Sequence, residues 1–211
     1  MRLSSTKQPS IMAASAAKAG PKCAKSIRVI AIGASAGGLQ SLLQLLPKLP
    51  LLPNCCLLIV QHLHPAGKTF LPQILRRIAS WQVKQAEQGE SIRAGVAYVA
   101  APDFHLVLSG NRLHLSSMNP VRMQRPSVDV LFASVAKERG ASAIAVLLSG
   151  AGQDGSAGLR DMKMAGASTI VQDPADAMFP SMPRHGIETG CADFVMSARS
   201  MAPKLSTLCQ G

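Results

Sequence analysis

Along most of the chain, short aliphatic runs alternate with stretches whose apolar positions recur every three or four residues. Arg28–Gly33, Cys55–Gln61, Ala143–Ser149 and Ser168–Gln172 are aliphatic through their centres and end in glycine or polar residues, which predicts strands buried on both faces. Helices are predicted between them: from Gly38 to about Pro47, near Phe70–Ala79, from about Ser127 to Arg139, from Ser156 to Ala165 and near Pro183–Thr189. A strand at Asp193–Met196 and a C-terminal helix complete the chain.

The middle departs from this rhythm. Val96–Ala100, Phe104–Leu108 and Arg112–Leu115 are short runs split by Pro102-Asp103 and Gly110-Asn111, which predicts an antiparallel patch joined by tight turns. The expected fold is therefore α/β: a doubly wound, mostly parallel sheet with helices on both faces, right-handed crossovers and a small antiparallel hairpin insertion. No internal repeat is present.

Composition agrees with this picture and adds a charge asymmetry. Hydrophobic residues make up 47% of the 211 and aromatics only 3%, so the core is aliphatic and of a size for one ordinary domain. The net charge is +11, and the first acidic residue is Glu87: residues 1–86 hold 11 of the Lys and Arg and no Asp or Glu. Such a field favours an anionic partner or is simply a solvated basic surface. Nucleic acid is disfavoured, because Trp81 and Tyr98 are the only Trp and Tyr and no basic and aromatic residues interleave. Residues 1–26, rich in Ala, Ser and Lys, lack the apolar core of a secretory signal and read as a flexible basic extension preceding a domain at 27–208. No stretch has the roughly 18–20 apolar residues of a membrane span. Cys23, Cys55, Cys56, Cys191 and Cys209 form an odd set with no C-x-x-C pair, which fits a reducing cytoplasm.

In an open parallel sheet, ligands bind beyond the carboxyl ends of the strands. Three polar residues satisfy that condition. Ser35 follows the first strand inside Gly33-Ala34-Ser35-Ala36-Gly37, His62 follows Leu57-Leu58-Ile59-Val60-Gln61, and Asp154 lies in the glycine-rich loop after Ile144–Leu148. A hydroxyl, an imidazole and a carboxylate on one sheet edge are the parts of an acyl-transfer triad.

Blander roles exist for each: a helix cap for Ser35, a satisfied core histidine for His62, a turn carboxylate for Asp154. His62 and His64 form an H-x-H pair, but no third metal ligand stands at a recognisable spacing. A phosphate-binding glycine loop is the competing reading of the first turn. Gly37-Gly38-Leu39 lacks the Gly-Lys-Ser/Thr of a Walker loop, and Gln61-His62 stands where a dinucleotide site carries an acidic residue. The order Ser, His, Asp also differs from the Ser, acid, His order of α/β-hydrolases.

The residues resemble the catalytic domain of CheB-type chemotaxis methylesterases, the protein-glutamate methylesterases of bacterial chemotaxis. The matching segments are Ile32–Gly38, Ile59–Leu63, Tyr98–Pro102, Arg125–Phe132, Leu148–Gly155, Gly166-Ala167 with Gln172-Asp173, and Met182–Arg184. The resemblance implies Ser35 as nucleophile, His62 rather than His64 as general base, Asp154 as the orienting carboxylate, and the main-chain N–H groups of Ala36 and Ala151 as oxyanion donors. It implies hydrolysis of glutamate γ-methyl esters on the cytoplasmic helices of chemotaxis receptors, with glutamine deamidation by the same chemistry, and no cofactor or metal. Two departures fall at the donors, Ser35-Ala36-Gly37-Gly38 and Ser149-Gly150-Ala151-Gly152, where the family often has Thr and Met side chains. A third is that 26 residues before the first strand cannot hold the receiver domain common in the family. The expectation is then an enzyme that is constitutively open or controlled by a separate regulatory protein. A nucleotide-binding protein and a catalytically silent receptor-binding scaffold are the alternatives.

Overall fold

The computed structural model describes residues 27–62 and 69–210. His64 and the 1–26 extension lie outside the described residues.

Seven parallel strands form one sheet. β1 (Arg28–Ala34), β2 (Cys55–Gln61), β3 (Gln82–Gln85), β4 (Val96–Val99), β7 (Ala143–Leu147), β8 (Ser168–Gln172) and β9 (Phe194–Met196) are ordered β3-β4-β2-β1-β7-β8-β9. β5 (His105–Ser109) and β6 (Arg112–Ser116) form a separate antiparallel hairpin. Strand residues alternate between two cores, as a period of two requires. Val29 and Ala31 face α3 (Val128–Arg139), α4 (Ser156–Met164) and the hairpin, whereas Ile30, Ile32 and Ala34 face α1 (Gly38–Leu45), α2 (Leu71–Arg76) and α6 (Met201–Gln210). Met182, on α5 (Ser181–Glu188), joins the first group. Among the described residues, no helix is long and apolar enough to cross a membrane.

Two expectations are corrected. Val96–Val99 is no part of an antiparallel patch, because it pairs in parallel with both β2 and β3 inside the main sheet. Its all-buried Val-Ala-Tyr-Val is the signature of an interior strand, while only the hairpin beyond it is antiparallel. The strand β3 was not expected at all. Gln-Val-Lys-Gln buries only its valine, and a short polar edge strand carries too little apolar pattern to read.

The topology places the site. The chain winds from β1 through β2 to the β3 edge, then returns to lay β7, β8 and β9 on the other side of β1. β1 and β7 therefore flank the point where the winding reverses, where the loops leaving the strands diverge and leave a crevice. Gly33 allows a close approach there: a Cβ on it would lie 2.2 Å from Val128 Cγ1, so only glycine admits the N-terminus of α3 against β1.

Candidate active site

Ser35 leaves β1 with its backbone held on both sides. Its N–H donates to the Ser149 carbonyl (2.9 Å), and its own carbonyl accepts from Gly38 N (2.8 Å) and Gln61 Nε2 (2.7 Å). It does not cap α1. That position belongs to Gly37, at φ 72°, where a Cβ would meet Ser149 Oγ at 2.7 Å. The hydroxyl is thus left for other work, and it faces His62 Nδ1 at 3.1 Å.

His62 stands one residue past β2, and its N–H extends the parallel ladder to the Ala34 carbonyl (3.0 Å). The ring is nearly enclosed, with 8% of the side chain exposed. Its Nε2 lies 2.8 Å from Asp154 Oδ2. With a carboxylate holding the proton on Nε2, the lone pair of Nδ1 faces Ser35. In chymotrypsin-like triads the two ring nitrogens have the opposite assignment.

Asp154 is fixed by more than the imidazole. Oδ2 also accepts from Val128 N (2.7 Å), and Oδ1 accepts from Ser127 Oγ (2.9 Å), Asp129 N (3.0 Å) and Gly155 N (3.0 Å). The carboxylate therefore sits on the N-terminus of α3, where unsatisfied N–H groups and the helix dipole favour a negative charge. Burial alone pushes its pKa up, but the His62 bond and the N–H groups of Asp129 and Val128 outweigh it and hold the carboxyl below its ordinary value. The neighbouring Asp129 moves the other way. Burial pushes it up, aided by the Asp154 charge and opposed by the Gly158 N–H and Arg122.

The loop after β7 is tied down by its flanks. Gly150 N donates to the Phe179 carbonyl (3.0 Å) and Met182 N to the Gly150 carbonyl (2.9 Å), while Ser149 Oγ bridges the Ala36 carbonyl and Phe179 N at 2.9 Å each. Behind it, Gln172 Oε1 accepts from Ser149 N and Ser41 Oγ, both at 2.8 Å. A Cβ on Gly150 would lie 2.8 Å from Ser35 Cβ, so the loop passes directly beside the serine. Among the described residues, the N–H groups of Ala36 and Ala151 have no acceptor. Ala151 borders a cavity of about 200 Å³ that His62 and Asp154 also line.

All three expected triad members thus meet at one sheet edge, with the two backbone donors beside them. No motif marks the supporting groups: Gln61, Ser149 and Gln172 behind the turns, and Ser127 and Asp129 around the carboxylate. Ser127 was readable as a helix cap, and its side chain does accept from Val130 N at 3.5 Å. Nothing in the sequence says that the same hydroxyl also donates across the fold to Asp154. Ser127→Ala removes both bonds from a fully buried position. It is expected to lower stability by about 1–2 kcal/mol in urea denaturation.

Fold and geometry together define a parallel α/β protein with a hydrogen-bonded serine, histidine and aspartate at its switch point. The CheB methylesterase profile matches residues 30–205. The protein-glutamate methylesterase/protein-glutamine glutaminase of Photorhabdus laumondii is 42% identical over 184 residues, covering 85% of this chain and 52% of the relative. That of Escherichia coli is 39% identical over 197 residues, covering 90% and 56%. The crystal structure of the Thermotoga maritima CheB methylesterase catalytic domain superposes with a TM-score of 0.82 at 33% identity, over 87% of this chain and 99% of that one. The chain belongs to the CheB methylesterase family. It spans about half the length of the curated relatives it matches.

Proposed function

We propose that residues 27–208 form a catalytic unit that hydrolyses glutamate γ-methyl esters on the cytoplasmic helices of chemotaxis receptors, releasing methanol, and deamidates receptor glutamines by the same route. The observation that carries the reading is the continuous relay from Ser35 Oγ through His62 to Asp154, at 3.1 and 2.8 Å.

In this mechanism Ser35 Oγ bonds to the ester carbonyl carbon as its proton passes to His62 Nδ1. The resulting oxyanion is held by the N–H groups of Ala36 and Ala151. Asp154 stabilises the imidazolium through Nε2–H. The carbon–methoxy bond then breaks, the Nδ1 proton leaves with methanol, and the glutamyl group remains esterified to Ser35. Water attacks that ester while His62 takes one of its protons; the carbon–Oγ bond breaks, Oγ recovers that proton, and the glutamate leaves as an acid that gives water's second proton to the solvent. With a glutamine, ammonia replaces methanol as the leaving group. Oxyanion donors of this kind contribute on the order of a hundredfold or more in rate, and main-chain donors do so whatever side chain they carry. The alanines at 36 and 151 therefore retain the donors while narrowing the walls less than Thr or Met would.

The test is incubation with a methyl-esterified receptor cytoplasmic fragment. Methanol release with conversion of the esters to glutamate is expected. An unchanged fragment that nevertheless binds the protein would favour the silent scaffold.

A further inference from the structure

Arg122 stands where two depressions meet beside the relay. One is the cavity of about 200 Å³ bordered by His62 and Ala151; the next, of about 250 Å³, is lined by Arg122, Arg160, His185 and Glu188 among others. Two arginines on this loop are used very differently. Arg125 is fully committed: Nε and Nη2 donate to Asp103 Oδ1 (2.8 and 2.6 Å), and Nη1 donates to the carbonyls of Ser117 and Met118 (3.1 and 3.2 Å). Arg122 makes one bond among the described residues, from Nε to Asp129 Oδ2 at 3.2 Å. Asp129 is itself held by the Gly158 N–H (2.8 Å). The guanidinium is thus anchored by its inner nitrogen, and among the described residues neither Nη group has a partner.

The backbone that presents it is strained. Val121 and Gln124 exchange two N–H to carbonyl bonds (3.1 and 2.8 Å) around Arg122 and Met123, whose φ angles are 49° and 63°. Turns with two such angles favour asparagine and glycine, and left-handed backbone costs a residue with a Cβ about 1–2 kcal/mol. Met123, 93% exposed, recovers nothing by burial. Strain of this sort concentrates where a side chain must be aimed.

We propose that Arg122 is a specificity-determining residue: its Nη groups take the carboxylate of an acidic side chain about one helical turn from the methyl ester on the substrate helix. The inference rests on the esterase reading above. A helix that offers its ester to Ser35 presents side chains three and four residues away on the same face, about 5.4 Å along its axis. The adjoining depression with Arg122 and Arg160 can receive such a side chain. The planar fork of a guanidinium matches a carboxylate in two parallel bonds, whereas a neutral amide offers one acceptor atom and no charge.

The test uses helical peptides carrying one glutamate γ-methyl ester, with Glu or Gln three or four residues to either side, and follows methanol release. The unaltered protein is expected to favour a Glu-flanked peptide by about fivefold in kcat/KM at low salt, through KM, and less as salt rises. Arg122→Gln is expected to erase the preference by raising KM for that peptide with kcat held within about twofold, and Arg122→Lys to restore part of it. Indifference of the unaltered protein to the flanking charge, or a preference that survives Arg122→Gln, overturns the proposal. Release of no methanol from any peptide overturns the esterase reading instead, and this inference with it.

Discussion

Exchange of Ser35 for alanine is expected to abolish methanol release from a methylated receptor fragment, a loss on the order of 10⁵–10⁶-fold in turnover, while the protein stays folded. The two halves of this expectation have separate grounds. The side chain's one hydrogen bond among the described residues is to His62, so nothing structural depends on it. The backbone bonds to Ser149, Gly38 and Gln61 survive the change. Whatever slow hydrolysis remains would come from bound water and the Ala36 and Ala151 donors. Turnover within tenfold of the unaltered protein would show that another group attacks the ester.

Asp154→Asn carries the second large effect, and here catalysis and folding are linked. If the amide nitrogen takes the Oδ2 position, it faces His62 Nε2 as a donor. The ring can satisfy it only by carrying its proton on Nδ1, which is the wrong tautomer for a base facing Ser35. Turnover is expected to fall about 10³–10⁴-fold, as in a serine protease altered at the same point. The nitrogen would also oppose the Val128 N–H, and in the other orientation it would oppose Ser127, Asp129 and Gly155. A loss of about 1–3 kcal/mol in denaturant stability should accompany the kinetic loss. An isolated turn carboxylate would show neither effect.

Much of this was legible in the chain. β2 and β8 occupy the predicted Cys55–Gln61 and Ser168–Gln172, because the aliphatic centre of an interior parallel strand is buried on both faces. The same regularity located the site, since the residues just past β1, β2 and β7 share one edge once the strands are known to be parallel. β3 was hidden because its fixed place comes from pairing with β4 and its pattern shows only Val83 buried. Asp154 could be placed at a strand end, but its seat on the N-terminus of α3 depends on how closely that helix approaches β1, which Gly33 permits and no local pattern announces. Arg122 was invisible for a similar reason. In the sequence it is one of many arginines, and only the contrast with the committed Arg125 sets it apart.

The proposed mechanism makes Ser35 a nucleophile activated by His62 and Asp154. Its most direct test is reaction of the intact protein with a serine-directed fluorophosphonate, followed by intact mass measurement and peptide mapping. One adduct per chain on Ser35, strongly slowed in Asp154→Asn, is the expected result. Failure to label, or an adduct on any other serine, would contradict it.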